Sequence, residues 1–182
     1  MRRRDLAGLA ALAGSAPALA RAQGGEERLV FELKDGPVTI QLLPDVAPQH
    51  VERIKTLTRR GFYDGTPFHR VIEGFMAQGG DRTGTGTGGQ GETGLPNLPA
   101  EFTNKYRFIR GVCGMARSSD PNSANSQFFI MFAPAPSLDG QYTIWGRVVS
   151  GMDAVDKIKR GTGPNGMVQN PDKLIRARLV NA

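Results

Sequence analysis

The stretch Phe68–Gly80, FHRVIEGFMAQGG, decides how this chain is read. It reads as two short apolar strand pieces broken at Gly74, with Arg70 and Gln78 set among residues of core type. Side chains alternate faces along a strand, so Arg70 shares parity with Phe68 and Ile72. Beyond Gly74, Met76 and Gln78 share a face. The segment Ser126–Phe132, SQFFIMF, repeats the theme: Gln127 and Phe129 lie on one face, Phe128 and Ile130 on the other. Two strands can therefore each present an amide and a large apolar group on one surface. Alternation alone does not bring those surfaces together.

Outward from this stretch the chain continues as strands and turns. Arg28–Lys34 and Pro37–Leu43 alternate around Asp35-Gly36, a hairpin signal. The spacing of Val51, Ile54 and Leu57 predicts a helix from Ala47 to Arg60, with Pro48 in the first turn and Gly61 as the stop. Residues 80–102 form a long Gly/Thr loop. Further strands are predicted within 108–116, 126–132 and 142–151, a second short helix within 151–161, and a closing strand over 172–180. Many strands with two helices point to an antiparallel sheet closed into a barrel. At 182 residues with no internal repeat, one domain with its own core is expected.

The N-terminus reads as an address. Arg2, Arg3 and Arg4 precede an uncharged Ala/Leu run, Leu6–Ala20, too short to span a bilayer and followed by A-x-A cleavage patterns. Residues 1–22 are expected to be a signal peptide using the Sec or twin-arginine route. Residues 23–27 are read as a linker and 28–182 as the folded domain. The mature protein is then periplasmic or secreted. Of the formal charge of +6, Arg2, Arg3, Arg4 and Arg21 against Asp5 place +3 in residues 1–22. The remaining +3, with no basic run interleaved with aromatics, argues against a nucleic-acid partner. No stable membrane insertion of the mature chain is expected.

The familiar chemistries find little footing. Cys113 is the lone cysteine and reads as a buried, inert thiol. Two histidines cannot build an ordinary zinc site, and no metal or cofactor is expected. His69 reads as structural, pointing away from the face of Arg70. The Gly/Thr loop lacks the Lys-Ser/Thr ending of a phosphate loop, and no G-x-S-x-G elbow is present.

Three blocks settle the reading: Phe68–Asp81, FHRVIEGFMAQGGD; Met115–Ile130, MARSSDPNSANSQFFI; and Leu138–Val155, LDGQYTIWGRVVSGMDAV. In order and content they resemble the signature blocks of cyclophilins, the peptidyl-prolyl cis-trans isomerases, with a middle block like that of the bacterial exported branch. The similarity covers roughly Leu29 to Val180. The resemblance implies a mainly β fold, a closed eight-stranded antiparallel β-barrel capped by two α-helices, with the groove on its outer face.

The resemblance also implies the site. Its catalytic arginine falls on Arg70 and its substrate-binding amide on Gln78. The proline pocket falls on Phe75, Met76, Phe129 and Leu138. Gln127 and the main chain at Ala116 and Arg117 complete the groove, and Tyr142 stands where a rim histidine is common. Partners would be proline-containing peptides and unfolded exported proteins, met by a monomer. A proline-peptide binding module with little turnover is the alternative. One departure stands out: the residue before "LDG" is commonly Trp or Phe in the family and here is Ser137. Weak cyclosporin binding is therefore expected.

Overall fold

A computed structural model describes residues 26–182. The expected signal peptide lies outside the described residues, as does the linker up to residue 25. Glu27, assigned to that linker, already pairs with Asn181 in the first strand.

The strands are β1 (Glu27–Leu33), β2 (Gly36–Leu42), β3 (Thr66–Pro67), β4 (Arg70–Ile72), β5 (Met76–Gly79), β6 (Val112–Met115), β7 (Phe128–Met131), β8 (Ile144–Ser150), β9 (Lys173–Leu174) and β10 (Arg176–Asn181). The helices are α1 (Pro48–Arg59), α2 (Gln90–Thr93) and α3 (Met152–Asp156), with a 3-10 turn at Pro136–Leu138. Eight strands form one antiparallel sheet in the order β10-β1-β2-β8-β6-β7-β5-β4, and β3 and β9 form a separate ribbon.

The sheet curls strongly but does not close, which corrects the expectation of a closed barrel. Its end strands, β10 and β4, do not pair with each other. The outer edge of β4 is instead occupied by the loop before β9. The Val71 N–H donates to the Gly166 carbonyl (2.8 Å), and the Gly161 N–H donates to the Val71 carbonyl (2.8 Å). The gap is bridged by the β3–β9 ribbon, where Thr66 pairs with Leu174. One residue on, the Ile175 N–H turns to the Glu32 carbonyl (2.9 Å). The predicted closing strand thus divides into β9 and β10 because it changes partner there.

The number of helices also differs from the expected two. A single turn, α2, stands inside the Gly/Thr loop, where the Glu92 carboxylate accepts from the Gly89 N–H at 2.6 Å. High glycine content hides such a turn in a propensity reading.

Helix α1 forms as predicted, with Pro at its start, but no local side chain caps it. Glu101, far along the chain, accepts from the Gln49 and His50 amides (3.2 and 2.8 Å) and from His50 Nδ1 (2.6 Å). Those are donors a helix start leaves unsatisfied. Val51, Ile54 and Leu57 face the core, and the helix packs on β10 and β8.

Two apolar clusters occupy the two faces of the sheet. The inner one holds Leu29, Phe31, Ile40, Val71, Ala77, Ile130 and Trp145. Phe128 is its hub, with ring centroids at 5.1 Å from Phe31, 5.5 Å from Tyr63 and 6.2 Å from both Phe68 and Trp145. Each such ring contributes about 1.5–3 kcal/mol by burial. Cys113 is fully buried in this cluster, and burial pushes its thiol pKa up. The outer cluster holds Met76, Phe108, Phe129 and Met131.

Candidate active site

The outer face is built from the segment that runs from Arg70 to Gly79. Gly74 takes φ +69° at the tip of a reversal, a conformation that glycine adopts without steric cost. The break there is a hairpin turn. β4 and β5 fold antiparallel so that Arg70 lies opposite Gln78 and Ile72 opposite Met76. β7 joins the other edge of β5 and places Phe129 opposite Gln78. Period-2 alternation then sends Val71, Ala77 and Phe128 inward and Arg70, Met76, Gln78 and Phe129 outward. Phe68 departs from its expected parity with Arg70. It sits in the inner core, because residues 68 and 69 precede β4 and do not follow its pleat.

The result is an open cavity of 410 Å³ on the outer face. Arg70, Phe75, Met76, Gln78, Ala116, Arg117, Phe129, Leu138 and Tyr142 all line it. Of the ten expected site residues only Gln127 lies outside it, in an adjoining cavity of 400 Å³ that shares Gln78, Gly86, Ala116 and Arg117. The floor is Met76 and Phe129, both nearly fully buried. Phe129 stacks on Phe108 (5.6 Å, 23°) and meets Tyr142 edge-on (5.9 Å, 87°).

Polar groups run along one side as a chain. Arg70 Nε donates to the Asn165 carbonyl (2.8 Å) and Nη1 to Gln78 Oε1 (3.2 Å). Gln78 Nε2 donates to Gln127 Oε1 (3.0 Å). Gln127 Nε2 donates to the carbonyls of Gly86 (3.0 Å) and Gly88 (2.9 Å). The Ala116 N–H is engaged by the Gln127 carbonyl (2.9 Å), so a bound peptide can meet only the carbonyl of that residue. Nothing in the bonding of Arg70 neutralises its charge. Among the described residues no carboxylate comes within ion-pair distance of it.

Several contributors escaped the sequence reading. Asn165 and Met167 come from the loop that edges β4, and no local pattern marked them. Asp81 is fully buried and organises the Gly/Thr loop. Its carboxylate accepts from the Thr83 N–H and hydroxyl (2.8 and 2.7 Å), the Gly86 N–H (2.7 Å) and the Gly88 N–H (3.2 Å). Burial by itself would raise its pKa, but these donors hold the carboxyl below its ordinary range. His69, read as structural, is buried yet borders the cavity, and among the described residues neither ring nitrogen makes a well-formed hydrogen bond, the Pro67 backbone being only a loose neighbour. Burial lowers its pKa, with Asp81 opposing.

A guanidinium poised over an apolar floor, with a fixed amide beside it, can hold a proline ring and polarise the bond preceding it. Comparison with known proteins places the chain in a family. Residues 28–179 match the model of the family described as "Cyclophilin type peptidyl-prolyl cis-trans isomerase/CLD". A Brucella suis protein named "Probable peptidyl-prolyl cis-trans isomerase" is 53% identical over 185 residues, covering 95% of this chain and 92% of that one. Among solved structures, a Cryptosporidium parvum cyclophilin crystallised in the presence of the dipeptide Ala-Pro superposes with a TM-score of 0.78 at 26% identity, covering 85% of this chain and 99% of that one. The cyclophilin AquaCyp293 from Hirschia baltica gives 0.73 at 30% identity, with 84% and 73% covered. This chain belongs to the cyclophilin-type peptidyl-prolyl cis-trans isomerases, and its enzymatic activity is that of the family.

Proposed function

We propose that the outer-face groove turns X-Pro bonds with Arg70 as the catalytic group, and that the enzyme assists the folding of exported proteins in the periplasm after loss of residues 1–22. A planar imide resists rotation because nitrogen shares its lone pair with the carbonyl, a barrier of about 18–20 kcal/mol. As the bond twists, that lone pair localises on the prolyl nitrogen. A guanidinium N–H aimed at the nitrogen binds the twisted state better than either planar one, which lowers the barrier.

Phe75, Met76, Phe129 and Leu138 hold the ring. Gln78 and Gln127, with the Ala116–Arg117 main chain and Tyr142 at the rim, hold the peptide on one side of the bond while the other turns. Uncatalysed exchange takes about 10–100 s. A turnover of about 10³ s⁻¹ asks for roughly 6–7 kcal/mol, within reach of one charged hydrogen bond, desolvation and anchoring.

The observation that carries the reading is the Arg70 guanidinium, held at Nε by Asn165 and at Nη1 by Gln78, with Nη2 unengaged and no carboxylate beside it among the described residues. The basic start and Ala/Leu run of residues 1–22 support export. Exchange NMR on an X-Pro peptide with wild type and Arg70→Ala tests the site. A loss of about 10²-fold or more in rate, with peptide binding retained, is the expected result. Equal rates in the two proteins overturn the role of Arg70. Binding without turnover in wild type makes the groove a peptide-holding module. A periplasmic extract should yield a mature N-terminus near Gln23. An intact Met1 start there would overturn the export assignment.

A further inference from the structure

We infer that Arg117 makes this site select an acidic side chain close to the proline. The inference rests on the isomerase reading and adds a substrate class to it.

Arg117 follows β6 and stands in the wall that the two cavities share. Its side chain is held in advance of any ligand. The guanidinium lies over the Tyr142 ring, with Cζ 4.3 Å from the centroid. Nε and Nη2 both donate to the Gln141 carbonyl (3.2 and 2.6 Å), and Nη1 donates to the Ser118 carbonyl (2.8 Å). Every one of these acceptors is neutral. They fix the group without cancelling its charge, and each terminal nitrogen keeps a second N–H.

The surroundings leave that charge unanswered. Among the described residues no Asp or Glu lines either cavity, whereas Arg70 and Arg117 are both in the lining of the first. The carboxylates nearest in the chain are turned to other work. Asp120 Oδ1 accepts from the Asn122 N–H (2.8 Å), Glu101 from the His50 N–H (2.8 Å) and Asp139 Oδ1 from the Phe108 N–H (2.7 Å), while Asp81, farther along, is enclosed behind the loop by the Thr83, Gly86 and Gly88 amides. The second cavity is otherwise edged by neutral hydrogen-bonding groups, among them Ser118, Ser123, Gln90 and Asn97. A half-buried, pre-oriented guanidinium between two acid-free cavities favours a carboxylate over an amide, and an amide over an ammonium. A purely structural arginine that only clamps Tyr142 would be indifferent to the charge of the substrate.

The test is a set of X-Pro peptides carrying Glu, Gln or Lys at each position within about three residues of the proline, on both sides, a span the two cavities can hold. Wild type, Arg117→Gln and Arg117→Lys are compared by kcat/KM and by KM. At one position wild type should favour Glu over Gln by about 5- to 10-fold, mainly through KM, and disfavour Lys. The ratio should fall toward unity in Arg117→Gln, persist in part in Arg117→Lys, and shrink with added salt. A wild-type ratio below about twofold at every position overturns the inference while leaving the isomerase reading intact. So does a ratio that survives in folded Arg117→Gln. If that variant does not fold, Arg117→Lys and the salt dependence of wild type decide. If no peptide is turned over at all, the isomerase reading falls, and dissociation constants for the same peptides decide the charge preference.

Discussion

Replacing Gly114 by alanine puts a methyl group where the structure has no room for one. Gly114 on β6 pairs across the sheet with Phe129 on β7. An added Cβ would stand 2.4 Å from Phe129 Cζ, 2.7 Å from Phe108 Cε1 and 2.8 Å from Phe129 Cε2. Carbon atoms in contact settle at about 3.5–4.0 Å, so a ring must retreat by roughly 1 Å. Phe108 is 1% exposed and has nowhere to go, whereas Phe129 borders the cavity. The ring of Phe129 should therefore rise into the groove and make its floor shallower.

Overpacking of this kind costs about 1–3 kcal/mol, which for a domain of this size lowers Tm by roughly 2–12 °C. A displacement of about 1 Å at the pocket floor should lower kcat/KM by about 10- to 100-fold. Gly91→Ala is the control, since Gly91 has open space around it and lines neither cavity. It should leave kinetics unchanged and alter stability by no more than about 1 kcal/mol. Thermal denaturation and a peptide isomerisation assay read both quantities. Wild-type Tm together with wild-type kcat/KM in Gly114→Ala would refute the packing argument.

Two further predictions follow from other parts of the molecule. His69 is buried, and burial holds its pKa below the ordinary 6.5, with Asp81 and the Pro67 backbone opposing. His50 is shifted the same way by burial, with Glu101 opposing. The unfolded chain therefore binds protons that the folded one does not. Stability is full above about pH 6.5 and falls as pH drops toward the folded pKa values, by about 1.4 kcal/mol per unit of depression. Urea titrations from about pH 8 to pH 5 should show this slope, and His69→Gln should flatten it; a level profile in wild type would contradict the assignment. At the rim, exposed Ser137 precedes Leu138 of the cavity wall and supplies no aromatic surface. Cyclosporin inhibition of the mature protein should be weak, and Ser137→Trp should tighten it by about 10-fold or more. A nanomolar inhibition constant for the wild type would sink this expectation.

Local physics was readable wherever it is local. Alternation in Leu29-Val30-Phe31 and in Phe128-Phe129 marks strands and their two faces. The hairpin between β1 and β2 and the Pro-led helix α1 announce themselves in a few residues each. Where a feature depends on a distant partner, the reading stopped. The cap of α1 is Glu101, and nothing near Pro48 hints at it. Closure of the sheet was expected from strand number, yet the edge of β4 is taken by the loop that carries Gly166 and Asn165. The turn α2 and the carboxylate of Asp81 lie in a glycine-rich stretch whose composition reads only as loop. The three blocks, by resemblance, supplied ten expected site residues without placing any of them.

The amino-acid sequence by itself determined which residues could share a face and which chemical groups were on hand: two amides, two guanidinium groups and a set of large apolar side chains. That information lies in a period of two along the chain, which needs no partner. The folded structure alone decided that β5 lies beside β7, so that Gln78 and Gln127, 49 positions apart, join amides at 3.0 Å. It alone decided that, among the described residues, the charge of Arg70 meets carbonyl and amide oxygens and no acid. Pairing between strands and the field at a side chain are sums over distant neighbours, and those neighbours exist only once the chain has folded.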